Sequence, residues 1–325
     1  MKKWYALAVV AVTITICYSF TGVRKRPSPL SFSGPPATKE QLGEMLFFEN
    51  KLSATRQLAC ASCHIPEHGF ADTVALSKGI YGRLGKRNAP SCTNLSGRSL
   101  LFFDGRAASL EDQVQFPIED KNEMGIPIGD VVARLNDDKK YVAYFGKIYG
   151  SRPTADNLKA AIAAFERTLE TSHTPFDRYM DGDTLAISKS AERGREVFMG
   201  AKAKCFECHF SPDFTGDEFR NIGLYDGAKY NDEGRAAISH DKSDLGKFKV
   251  PGLRNVAVTA PYMHNGMFKT LRQVIDYYDD PYKVVPHPVN IDTLLQQPLH
   301  LTEQEKTDLE NFLLTLTDDR FTRHK

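Results

Sequence analysis

The chain is 325 residues long and carries 42 Lys and Arg against 41 Asp and Glu. That balance offers no basic field for a nucleic-acid partner, and a hydrophobic content of 41% excludes a disordered chain. The length allows two domains of ordinary size, each burying its own core.

The chain opens on MKKWYALAVVAVTITICYSF, two lysines ahead of an apolar run from Tyr5 to Phe20, with the basic Arg24 to Arg26 following. This layout predicts a secretory signal over residues 1–22, removed on export or kept as a short anchor that tethers the chain to a membrane. Cys17 reads as part of the apolar run, because Ile16 is a poor residue before a lipidated cysteine. Residues 23–37 are rich in Pro and Ser and predict a linker. The expected location is exported and periplasmic, soluble or N-terminally anchored.

Helical periodicity recurs at 38–49, 109–116, 155–170, 188–199, 270–278 and 302–316, whereas strand signals are short and isolated. A break rich in Pro, Asp and Gly lies near 172–184. The expected fold is mostly α, with an N-terminal domain over 38–175 and a C-terminal domain over 185–325.

Each domain holds one copy of the same pattern: Cys60-Ala-Ser-Cys63-His64 and Cys205-Phe-Glu-Cys208-His209. Disulfides are the ordinary use of cysteine in an exported chain, and two CxxC pairs also suit zinc, although these two stand too far apart for one local site. Neither explains the histidine after both second cysteines. Covalent haem c does: the thiols add to the haem vinyl groups and the adjoining imidazole reaches the iron. The segments ahead of the motifs, LGEMLFFENKLSATRQLACASCH and RGREVFMGAKAKCFECH, share a glycine, an apolar spacing ending in Phe and a loop. The chain reads as a duplication with one haem per half, each half a cytochrome c-like domain. Cys92 is left outside both motifs.

Further blocks in the same order, GKRNAP, FFDGRAASLEDQ, AFERTLETSHTPFDRY, GKFKVPGLRNVAVTAPYMHNG and TLRQVIDYY, make the chain resemble the bacterial di-haem cytochrome c peroxidases and their MauG-type relatives over nearly all of the mature sequence. The resemblance implies a peroxidatic haem in the N-terminal domain and an electron-transfer haem in the C-terminal one. It implies that Glu123 shuttles the proton in peroxide cleavage, that Gln113 orients peroxide, and that Pro117 keeps the sixth position of the first iron open. Many relatives cap that iron with a histidine in the loop before RNAP; here the loop SKGIYGRLGKRNAP has none, so the first iron is expected to rest open, as in MauG. His68, four residues past His64, is expected on the proximal side or in solvent.

For the second haem the resemblance puts His209 on one side and Tyr278 on the other, with Met263 and Met267 as competitors. Tyr277, its neighbour, is expected to point elsewhere on a helix. The family's tryptophan between the haems is replaced by Phe103. An interdomain calcium is implied on Asn88, Thr259 and Pro261, all of them oxygen donors. The expected activity is reduction of hydrogen peroxide to water with electrons from a small cytochrome c or cupredoxin, and a homodimer is compatible with the resemblance. The other readings are MauG-like oxidation of a partner protein and a non-enzymatic di-haem electron carrier.

Overall fold

In the computed structural model, which describes residues 31–321, two helix pairs organise the chain. α1 (Lys39–Phe47) begins where the Thr38 hydroxyl accepts the Gln41 N–H. α2 (Leu110–Glu119), α3 (Ile128–Asn136), α4 (Lys139–Tyr149) and α5 (Ala155–Glu166) complete the first half. The second half contains α6 (Pro175–Met180), α7 (Lys189–Met199), α8 (Ala236–Ser239), α9 (Leu271–Asp279) and α10 (Glu303–Leu314). α5, α9 and α10 each start on a Thr whose partner three residues on closes a capping box, which fixes the helix entry. A two-stranded antiparallel pair, β1 (Phe219–Arg220) and β2 (Phe248–Lys249), sets Phe219 opposite Lys249.

The duplication read from the sequence is visible in the packing. α1 crosses α5 at Gly43, where a Cβ would lie 1.8 Å from the Ala161 carbonyl oxygen; α7 crosses α10 at Gly194, where a Cβ would lie 1.8 Å from that of Asp308. Only glycine permits either approach. One turn further on, Phe47 meets Phe165 edge to face and Phe198 meets Phe312, both at 5.2 Å between ring centroids. A third ring joins each pair: Phe70 lies 6.0 Å from Phe47, and Phe214 lies 6.0 Å from Phe198. Each trio anchors a separate apolar core, each buried phenylalanine being worth about 1.5–3 kcal/mol. The chain after each core is also pinned alike. The Asn94 N–H donates to Leu169 O at 3.1 Å and the Asn255 N–H to Leu316 O at 2.9 Å.

Between the halves runs a polar seam. Arg87 pairs with Asp232 at 2.7 Å and Asp104 at 2.6 Å, the Asn88 N–H donates to His264 O at 2.7 Å, and the Lys249 N–H donates to Phe103 O at 2.8 Å.

All six predicted helices are present, with ends within a few residues of expectation. The sequence reading missed α3, α4, α6 and α8. α6 falls inside the expected break: its Thr174–Asp177 capping box and Pro175 start a helix that lasts only six residues. The expected signal and most of the linker lie outside the described residues, as does Cys17. Among the described residues no helix is long and apolar enough to cross a membrane.

Candidate functional site

Residues Cys60–Ser62 and Cys205–Glu207 each form a single 3-10 turn. The N–H groups of Cys63 and His64 both donate to Cys60 O, at 3.1 and 2.9 Å; those of Cys208 and His209 both donate to Cys205 O, at 3.2 and 2.9 Å. So tight a turn gathers two thiols and an imidazole. His64 Nδ1–H donates to Phe70 O at 3.0 Å and His209 Nδ1–H to Phe214 O at 2.8 Å. Held so, each ring keeps a bare Nε2 lone pair for a metal, and burial lowers both pKa values, favouring the neutral form.

Both motifs line one continuous cavity of about 1420 Å³. A single small-molecule site usually takes about 300–1,000 Å³. Paired thiols, an oriented imidazole and this volume fit a covalently held haem in each half. Among the described residues no group of three or more His, Cys, Asp or Glu side chains is arranged to hold a metal ion. Asn88 is buried with its amide Nδ2 donating to Val74 O at 3.1 Å, and it lines the cavity with Thr259 and Pro261.

Gln113, Pro117 and Glu123 all line the cavity of the first half. Pro117 sits inside α2 and has no N–H, so the Gln113 carbonyl lacks its helical donor and the helix ends two residues later. The following turn, closed by Glu123 N–H and Gly125 N–H donating to Asp120 O, projects Glu123 inward. Burial chiefly, then the Asp120 charge, raises the Glu123 pKa, while Arg106 opposes the shift. The loop 77–88 is tied beside Glu123: Ile80 N–H donates to Glu123 O at 2.8 Å and Arg83 Nη1 to Lys121 O at 2.9 Å. No imidazole enters from this loop. His68 lies on the 3-10 turn Pro66–His68 and is not among the cavity-lining residues.

In the second half Tyr278 lines the cavity. Burial pushes its phenol pKa up, and the nearby thiols Cys208 and Cys205 add to the shift. Tyr277 turns away, as expected, and donates to Ile222 O at 2.7 Å. Met263 lines the cavity, whereas Met267 packs with Tyr277 and Leu224 outside it. Phe103 also lines the cavity, as does a pair the sequence did not suggest, Phe248 stacked on His264 at 3.8 Å and 9°. The sequence reading also missed what surrounds His64: Cys92 Sγ lies 3.1 Å from its Nδ1, and Glu166 lines the same pocket, buried, with its Oε2 unpartnered. Separate elements bring them together, so no local pattern marks them.

The di-haem cytochrome c peroxidase family profile matches residues 37–185. The methylamine utilization protein MauG of Methylophilus methylotrophus is 35% identical over 298 residues, covering 89% of this chain and 85% of that one. A cytochrome-c peroxidase, IdrP1 of Denitromonas iodatirespirans, is 34% identical, with 90% and 85% covered. Among solved structures, a MauG-like protein associated with microbial copper homeostasis superposes with a TM-score of 0.81 at 31% identity, covering 94% of this chain and 97% of that one.

Proposed function

The chain belongs to the di-haem cytochrome c peroxidase and MauG family, and from that premise we propose that it reduces hydrogen peroxide to water, one peroxide with two electrons and two protons giving two waters. The electrons come from a small redox protein, a cytochrome c or a cupredoxin, and the setting is an exported, periplasmic one. Two haem c groups are held by Cys60, Cys63 and His64, and by Cys205, Cys208 and His209. The first haem, when bound, supplies the redox chemistry that splits the O–O bond.

What the chain's own residues do follows from their placement. Glu123 takes the proton from one peroxide oxygen and returns it to the other; its raised pKa brings it nearer working pH, where such a shuttle acts in both directions. The Gln113 side-chain amide orients peroxide by hydrogen bonding. Pro117 ends α2 so that Gln113 and Glu123 reach the same cavity. His64, steadied by Phe70 O, presents its Nε2. In the second half Tyr278, which lines the cavity near the Cys205 and Cys208 thiols, would be the second protein ligand of the haem held by His209, and a tyrosinate in that role would favour a low potential. With Phe103 where the family has a tryptophan, direct tunnelling or a nearby tyrosine would carry electrons between the haems.

The single observation that carries the reading is the meeting of Glu123 and Gln113 with the first motif in one cavity, which an electron carrier has no use for. MauG-like oxidation of a partner protein is the second reading, favoured by Tyr278 and by the histidine-free loop 77–88. A calcium ion on Asn88, Thr259 and Pro261 rests on the family resemblance; chelator should change activity if it is present. The test of the main reading is steady-state peroxide reduction by the haem-loaded protein with a reduced small cytochrome c as donor. Peroxide-dependent oxidation of the donor is expected, and its absence alongside peroxide-driven modification of a partner protein would favour the second reading.

A further inference from the structure

The internal duplication supplies its own control for the surroundings of each imidazole. Cys92 stands two residues before Asn94 and Leu253 two before Asn255, the asparagines that make equivalent backbone bonds to Leu169 O and Leu316 O. Glu166 follows Phe165 as Leu313 follows Phe312, the two rings that close the equivalent helix crossings. All four of Cys92, Leu253, Glu166 and Leu313 line the cavity. The scaffold accepts leucine at both places in the second half, so the polar pair of the first half is not demanded by packing.

Glu166 is 5% exposed, and its Oε2 has no hydrogen-bond partner. A buried carboxyl oxygen without a partner is costly to desolvate, and a position that tolerates leucine in its twin retains it here. Its charge reaches the thiols of Cys60, on the motif turn, and of Cys92, and Cys92 in turn touches His64.

We propose that the Glu166 carboxyl is a proton-holding site specific to the first haem, giving up its proton when that haem, once bound, is oxidised and regaining it on reduction. The Glu166 carboxyl releases one proton to water for each electron that the first haem, when bound, would give to the redox partner or to a mediator at an electrode. Reduction returns both. The physical link is electrostatic: an added positive charge in a buried pocket favours the carboxylate. Burial holds the Glu166 pKa up at about 8, so the proton is present at neutral pH and available to be released.

The charged neighbours leave this role to Glu166. On α2, Glu111 is held by Arg167 at 2.7 and 2.9 Å, and Asp112 accepts the Ala108 N–H. On α1, the Glu44 carboxylate is taken by Ser31. On α3, Arg134 donates to the carbonyls of Lys51, Ser53 and Ala54. Arg167, next to Glu166 on the chain, lowers its pKa and Glu111 raises it, both less than burial does. Glu123 reaches Cys60 but belongs to the peroxide side of the proposed site.

The inference rests on the reading that Cys60, Cys63 and His64 hold a haem, and the test separates the two: a haem-free first motif defeats that reading, whereas this one is judged only with haem bound. Spectroelectrochemistry of the haem-loaded protein should show the potential of the first haem falling by up to about 59 mV per tenfold drop in proton concentration around the Glu166 pKa. Glu166→Gln should flatten that dependence, and Glu123→Gln should retain it. Redox-difference infrared spectra of the unaltered protein give a second readout that needs no variant: oxidation of the first haem should bleach a protonated carboxyl C=O band. A slope that survives in Glu166→Gln, a flat response in the unaltered protein, or a spectrum without that bleach overturns the proposal.

Discussion

In the second half Leu253, Leu313 and Tyr278 line the cavity with His209; in the first half Cys92, Glu166, Gln113 and Glu123 line it with His64, and Cys92 Sγ lies 3.1 Å from His64 Nδ1. Everything that holds these groups is common to both halves. The glycine crossings, the phenylalanine trios, the motif turns and the imidazole-to-carbonyl bonds repeat within a few tenths of an ångström. On the proposed function, the difference teaches that a repeated skeleton leaves it to a handful of lining residues to set a reacting half apart from a conducting one.

The comparison breaks first, and most, at Glu123. Glu123→Gln keeps the size of the side chain and removes its proton, so peroxide turnover should fall by about 10²–10⁴-fold while haem content and resting spectra hold. Stopped-flow mixing with peroxide checks it, and a rate within a few-fold of the parent would assign the proton to another group. Next come the shared rings. Phe165→Ala and Phe312→Ala should each cost about 3–5 kcal/mol in denaturant unfolding. Each should disturb the spectrum of the haem in its own half first, which sharpens the claim of two separate cores.

A pH-dependent effect also separates the halves. The ordinary value for Glu166 is 4.5 and its folded value is about 8, so between them the folded chain holds a proton that the unfolded chain has lost. Its contribution to stability is therefore complete below about pH 4.5 and is lost as pH rises to about 8, at roughly 1.4 kcal/mol per pH unit. Glu166→Gln should flatten this slope in unfolding measured near pH 5 and near pH 8. Leu313, its twin, gives the second half no such term.

The motifs, the six long periodic helices and the doubled plan were legible because each is local: a five-residue pattern, a period, a cap. α3 and α4 escaped although Val131 and Leu135, then Tyr141 and Phe145, are buried at helical spacing. Their β-branched and aromatic residues, and Gly146, are weak helix formers whose fate is decided by packing. α6 is too short to show a period. At the site, Gln113, Pro117 and Glu123 were reachable through family spacing, and Tyr278 through a count from His264. Cys92 and Glu166 were not, since they come from a loop and from the end of α5 and mean something only once the fold has set Cys92 against His64 and Glu166 within electrostatic reach of Cys60 and Cys92.

The central claim, one open reacting half and one closed conducting half on a common skeleton, is tested most directly by electron paramagnetic resonance of the fully oxidised, haem-loaded protein. The account predicts one high-spin ferric signal, lost or altered on adding peroxide, and one low-spin signal that Tyr278→Phe changes. Two low-spin signals, with peroxide reacting only after one-electron reduction, would contradict it.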